Sequence, residues 1–136
     1  MHQIAKWHPS YSVFIKELDE HHKKLIDLLN ELYNAYLLDV HKEKVSEIIA
    51  ELRRYTVEHF GLEEKYFNQF NFEGSQDHIK EHAFFIEKVK SFEADYQKNS
   101  TLASLQIINF LLDWITNHIL NVDKEYINCF KQAGLK

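Results

Sequence analysis

The sequence predicts an all-α fold, an up-down-up-down antiparallel four-helix bundle with an N-terminal arm. Three observations lead there. Glycine and proline number only 3 and 1 in 136 residues, where average usage of about 7% and 5% would give about 16. Turns are therefore few, which argues against a many-stranded fold with a turn about every ten residues. Four stretches carry apolar residues at steps of three and four, the period of a one-faced helix. Short breaks separate stretches of about 20 residues, so successive helices run antiparallel.

Residues 1–14 have no clear period and are expected to pack across the bundle through Trp7 and Tyr11. The first helix carries Leu25, Ile26, Leu29, Leu32, Tyr33 and Tyr36 on one stripe. The second carries Val45, Ile48, Ile49, Leu52, Tyr55 and Thr56, leading to His59. Ile79, His82, Phe85, Ile86, Val89 and Phe92 mark the third. The fourth has Leu105, Ile108, Leu111, Leu112, Ile115 and Ile119. Breaks fall at Asp39–Lys42, Asn68–Ser75 and Lys98–Thr101, with Ser75 and Thr101 expected as N-caps, since each hydroxyl can accept a free backbone N–H. The chain reads as a single domain, residues 1–136, with the bundle in 15–136.

Composition narrows the function. Sixteen Lys and Arg against 21 Asp and Glu give a net charge of −5, which argues against a nucleic-acid partner needing a basic face. The lone Cys129 cannot form an internal disulfide, so nothing calls for an oxidising compartment. The opening residues lack the apolar core of a signal peptide. The most apolar run, Leu102 to Leu120, is interrupted by Gln106, Asn109, Asp113, Asn117 and His118, so no membrane span is expected. A cytoplasmic location is the default expectation.

Nine histidines are present, and their placement is the informative feature. His22 precedes Leu25, Ile26 and Leu29 on one stripe. His59 follows Leu52 and Thr56, and Glu63 continues four residues on. His78, His82, Phe85 and Val89 share a face, as do Leu111, Ile115 and His118. A single inward histidine is usually a hydrogen-bonded core residue. Five of them with a carboxylate, spread over four helices, are hard to satisfy without a metal, because buried polar groups need partners. His59/Glu63 and His78/His82 are i,i+4 pairs whose side chains can reach one ion, although each pair alone is a weak signal. His78-x-x-Glu81-His82 also fits an inverted zinc-protease signature. That reading leaves His22, His59 and His118 unexplained and is set aside. No Glu has a His three residues later, so the Glu-x-x-His pattern of ferritin-like di-iron sites is absent.

The sequence resembles the hemerythrin family, specifically the single-domain bacteriohemerythrins. The resemblance rests on Asp19-Glu20-His21-His22, His59-Phe60-Gly61-Leu62-Glu63-Glu64, His78-x-x-x-His82 and Trp114-x-x-x-His118-Ile119-x-x-x-Asp123, and it covers essentially the whole chain. It implies two iron ions (Fe2+/Fe3+) with an oxo or hydroxo bridge. His78, His82 and His118 would hold one iron, His22 and His59 the other, and Glu63 and Asp123 would bridge them. His118 and Asp123 are five residues apart, about 140° around an α-helix, so a π-like turn or a break is expected between them. His21 stands where the family commonly has Gln. At about 100° from His22 it cannot face the same site, and it is read either as a surface residue or as a residue behind a ligand. His2, His8 and His41 are expected to be solvated.

Five nitrogens and two carboxylates suit a first-row metal and not Ca or Mg. With a bridging solvent they supply roughly 11 of the 12 positions of two octahedral ions, leaving one vacancy beside His22 and His59. The resemblance then implies reversible dioxygen binding, for oxygen transport, storage or delivery, and no enzymatic activity. Phe60, Trp114, Ile115 and Ile119 match the family's apolar oxygen pocket, where dry walls suppress side reactions, and they would serve as ordinary core as well. Tyr126 matches a tyrosine near the irons and would otherwise pack with one hydrogen bond. The partner is dioxygen, with delivery to an oxygen-consuming enzyme as a further expectation, and the chain is expected to be a monomer. The alternatives are a di-iron enzyme reducing peroxide or nitric oxide, and an oxygen- or iron-sensing module. The absence of a second domain weighs against the sensor.

Overall fold

The computed structural model describes residues 3–38, 42–98 and 100–135, with the side chains of 42–43, 97–98 and 100–103 left aside. A short 3-10 turn, Pro9–Tyr11, precedes α1 (Lys16–Leu37), α2 (Lys42–Phe70), α3 (Ser75–Lys98) and α4 (Ser100–Asp113). The fourth helix then continues without a break through a π segment, Trp114–Val122, a 3-10 turn, Asp123–Tyr126, and α5 (Ile127–Gln132). α1 packs on α2 and α4, and α3 packs on the same two neighbours, the closed ring of an antiparallel bundle. No strand occurs among the described residues.

The arm is tied to α1 by one side chain. The Asn30 Oδ1 accepts the N–H groups of Ile4 and Ala5 at 2.9 and 3.1 Å, and its Nδ2 donates to the Ala5 carbonyl at 2.8 Å. Trp7 and Tyr11 pack against the bundle core, as the sequence predicts, with ring centroids 5.8 Å apart. His8 is exposed and caps the turn by accepting the Ser10 N–H.

Several sequence expectations shift at the helix ends. α2 runs to Phe70, past the expected start of the break at Asn68. It ends with Asn71 in the left-handed region (φ 53°) and the Phe72 N–H on the Phe67 carbonyl, a Schellman closure. Phe72 packs back against Phe67 with its ring tilted, completing the apolar contact of that motif. Gly74 lets the Phe72 ring lie close to the backbone, since a Cβ there would sit 2.8 Å from the ring and push it aside. Ser75 is the first helical residue and not the cap, since the Gly74 carbonyl takes the first helical N–H, that of His78. α4 begins at Ser100, which puts Thr101 inside it; the Thr101 side chain, the 39–41 break, His2 and His41 lie outside the described residues. Ile79 and Leu105, placed on inner stripes by periodicity, are 39% exposed.

The apolar core falls into two clusters. The larger is built from Leu25, Leu29, Leu52, Phe85, Ile108 and their neighbours, and reaches Phe60, Trp114, Ile115 and Ile119. The smaller gathers Val13, Ile15, Leu18, Phe67, Tyr126 and Phe130. Between them lies a layer of buried polar residues.

Candidate metal centre

Every helix sends side chains into that layer. α1 contributes His22, between Leu18 of one cluster and Leu25 of the other. α2 contributes His59 and Glu63, and α3 contributes His78 and His82. The π segment contributes His118, and the 3-10 turn opens with Asp123. All seven are at most 2% exposed. The π segment makes the last pair possible. Its i→i+5 bonding places residues five apart above one another, and the Asp123 N–H donates to the His118 carbonyl. Exposed side chains answer the disturbed carbonyls: the Thr116 hydroxyl donates to Leu112 and Asp113, and the Asn121 Nδ2 to Thr116.

Two groups of donor atoms result, Glu63 with His78, His82 and His118, and Glu63 with His22, His59 and Asp123, each within 4.8 Å of one another. Asp123 lies between the two groups. Its Oδ1 is 2.8 Å from the His78 Nε2 and 2.9 Å from the His118 Nε2, while its Oδ2 is 3.0 Å from the His22 Nε2. The Glu63 Oε1 approaches the Nε2 of His82 at 3.1 Å and of His59 at 3.3 Å. Yet the Nε2 atoms of His78, His82 and His118, the Glu63 Oε1 and both Asp123 oxygens make no hydrogen bond. They come close without the in-line N–H···O geometry a hydrogen bond needs. Lone pairs aimed at a common point, and not at one another, are what a metal would satisfy.

A model of the family described as hemerythrin HHE cation binding domain matches residues 13–130. The chain belongs to the hemerythrin family. It is 33% identical over 129 residues to a bacteriohemerythrin of Clostridium acetobutylicum, covering 90% of this chain and 98% of that protein. A bacteriohemerythrin of Pseudomonas aeruginosa is 28% identical over 127 residues, covering 93% and 82%. A hemerythrin-like protein of Naegleria gruberi is 32% identical over 120 residues, covering 88% of each. Membership supports a non-haem di-iron protein, and five imidazoles with two carboxylates fit iron by donor chemistry. No helix is long and apolar enough to cross a membrane.

In this hemerythrin chain three further residues act behind the donors, and the sequence did not assign that role to two of them, Glu64 and Glu81. The His82 Nδ1 donates to the Glu64 carboxylate at 2.9 Å, and the His118 Nδ1 donates to Glu81 at 3.0 Å. His21 sits behind a ligand position, its Nδ1 2.9 Å from the Nδ1 of His59. The two carboxylate contacts fix a proton on Nδ1 of His82 and His118 and turn Nε2 toward the centre, and the His21 contact shares one proton between two Nδ1 atoms. Glu81, set aside as a protease base, thus works from the bundle's outer side. Glu64 and Glu81 sit beside donors in sequence, but each pairs with a different helix, and local spacing carries no sign of that.

Electrostatics follow the same plan. Burial and Asp123 push the Glu63 carboxyl upward, but His59 and His82 outweigh them and hold it well below the carboxylate range. Burial likewise opposes the charge on Asp123, and His118, His22 and His78 overcome it. Burial lowers His59 to about 4 against the pull of Glu63. Burial also disfavours a charged His118, yet Asp123 and Glu81 raise it to about 9.

The expected pocket residues all line the buried interior. Phe60 lies flat on His82 (ring centroids 3.9 Å apart) and Trp114 flat on His118 (3.8 Å). Ile115 and Ile119 are 1% exposed, and the fully buried Tyr126 donates its hydroxyl to the Glu63 Oε2 at 2.7 Å.

Proposed function

We propose that the chain binds dioxygen reversibly at a two-iron centre and is not itself an enzyme, with residues 1–136 acting as one monomeric domain. His78, His82 and His118 would hold one iron, His22 and His59 the other, and Glu63 and Asp123 would join them. The observation that carries the reading is the uneven division of nitrogen donors: three imidazoles converge on one side and two on the other. With Asp123 and Glu63 counted on both sides, the two-imidazole side has one donor fewer and keeps room for a ligand, which separates a reactive site from a structural one. When bound, the irons would supply the electrons that reversible oxygen binding needs.

This chain's own residues do the rest. Phe60, Trp114, Ile115 and Ile119 keep water from the centre, which limits loss of electrons to side reactions. Tyr126 holds Glu63 in place, and Glu64, Glu81 and His21 orient three rings. The second reading, an enzyme reducing peroxide or nitric oxide, is favoured by one observation. A surface hollow of about 260 Å3, lined by His21, Lys24, Glu51, Arg54, Tyr55, Glu58 and His59, reaches the edge of a donor.

One experiment separates them. The iron-loaded chain is reduced without air, exposed to oxygen, then purged while the visible spectrum is followed. A band that develops with oxygen and bleaches on purging supports the carrier. Irreversible bleaching with turnover of added peroxide supports the enzyme, and an iron content far from two per chain would overturn the assignment of the site.

A further inference from the structure

Two tyrosines are buried near the centre, and only one of them is satisfied. Tyr126 donates to Glu63. The hydroxyl of Tyr55 is enclosed, its residue 4% exposed, and it has no hydrogen-bond partner among the described residues. Buried hydroxyls are nearly always paired, so the exception needs an explanation.

Its position supplies one. Tyr55 and His59 leave α2 one turn apart on the same face, and their rings are nearly parallel, 12° between planes with centroids 5.0 Å apart. The phenol is the longer side chain. A phenol on a ring parallel to His59 can reach beyond the imidazole, whose Nε2 edge faces Glu63 at 3.3 Å and His22 at 3.2 Å. This is the two-imidazole side. A phenol ordinarily titrates at about 10, so at neutral pH the group keeps its proton and acts as a donor. Trp114 carries another enclosed, unpartnered N–H, but its ring covers His118 on the three-imidazole side.

We propose that the Tyr55 hydroxyl is the hydrogen-bond donor for a small, negatively charged ligand held at the open side of the centre, beside His22 and His59. The proposal rests on the two-iron reading above. Next to the apolar ring of Phe60, which touches both Tyr55 and His59, one fixed donor sets which ligands are retained. A ligand that carries or gains negative charge is held, because hydrogen bonds to charged groups are the strong ones. A neutral ligand gains little.

The test is an azide titration of the iron-loaded chain, followed in the visible, for the unsubstituted protein and for Tyr55→Phe. The expected result is azide affinity about ten- to a hundredfold weaker in the variant, with iron still near two per chain. A variant that loads iron and binds azide with unchanged affinity would overturn the proposal alone. An unsubstituted chain that loads iron and binds no azide would overturn the open-side reading, and this proposal with it. If Tyr55→Phe fails to load, the infrared azide stretch of the unsubstituted chain decides. A shift between H2O and D2O supports the donor, and an unmoved band rules it out.

Discussion

An imidazole that offers one nitrogen to an ion is held in place by what its other nitrogen touches. For His59 that contact is His21; with the His59 Nε2 given to an ion, the His59 Nδ1–H would be donated to the Nδ1 lone pair of His21. Gln offers a carbonyl acceptor and Leu offers none. His21→Gln is therefore expected to keep iron affinity within a few-fold, and His21→Leu to lower it by about 10- to 100-fold, as read by chelator competition. The pKa values of His118 and His59 move in opposite directions, and so do their effects on stability. His118 titrates near 6.5 unfolded and at about 9 in the metal-free fold. Its stabilising contribution is full below about pH 6.5 and is lost as pH rises through about 9. His59 stays neutral down to about 4, while the unfolded chain takes up its proton near 6.5. That difference removes stability as pH falls from about 6.5 toward 4. Metal binding needs the neutral ring, so loading at pH 7.5 is expected to release a proton from His118. A dye in weak buffer measures this, and loading without proton release would contradict the His118 assignment.

Single elements explain which positions could be read from the sequence and which could not. The inward faces of His22, His59, His78, His82 and His118 follow from α-helical steps, because four helices hold that period up to the layer. Asp123 does not follow from them. The π segment changes the period there, and only the family resemblance, combined with the 140° misfit, pointed to that change. Ile79 and Leu105 show the opposite error. Both are apolar at plausible spacing, yet the helix turns them outward, since a stripe's edge is set by how neighbours pack and not by hydropathy. Tyr55 was read as part of the stripe, which its burial bears out, but periodicity says nothing about where a hydroxyl ends. Helix ends shifted by a residue or two for a local reason, the left-handed Asn71 that closes α2. Asn71→Gly is expected to preserve or slightly raise stability. Asn71→Val should cost roughly 1–2 kcal/mol, because a branched side chain resists that conformation. The shift in urea midpoint at constant slope measures it.

Across the molecule, the polar layer interrupts what would otherwise be one continuous apolar interior. Seven buried donors stand between the two clusters, and without an ion their lone pairs crowd one another. Iron is thus expected to act as a folding ligand. Stripping it should lower the unfolding temperature by roughly 10 °C or more, and reloading should restore it; calorimetry with and without chelator checks this. Two apolar halves joined across such a seam give the stripped chain a place to open locally, along the layer, before either half melts. Proteases cut what opens. Limited digestion is therefore expected to consume the stripped chain several-fold faster than the loaded one, with first cuts in α2 or the π segment. In a cell that difference would become a lifetime: copies that fail to acquire iron would be cleared, and the standing amount of the protein would follow the supply of its metal.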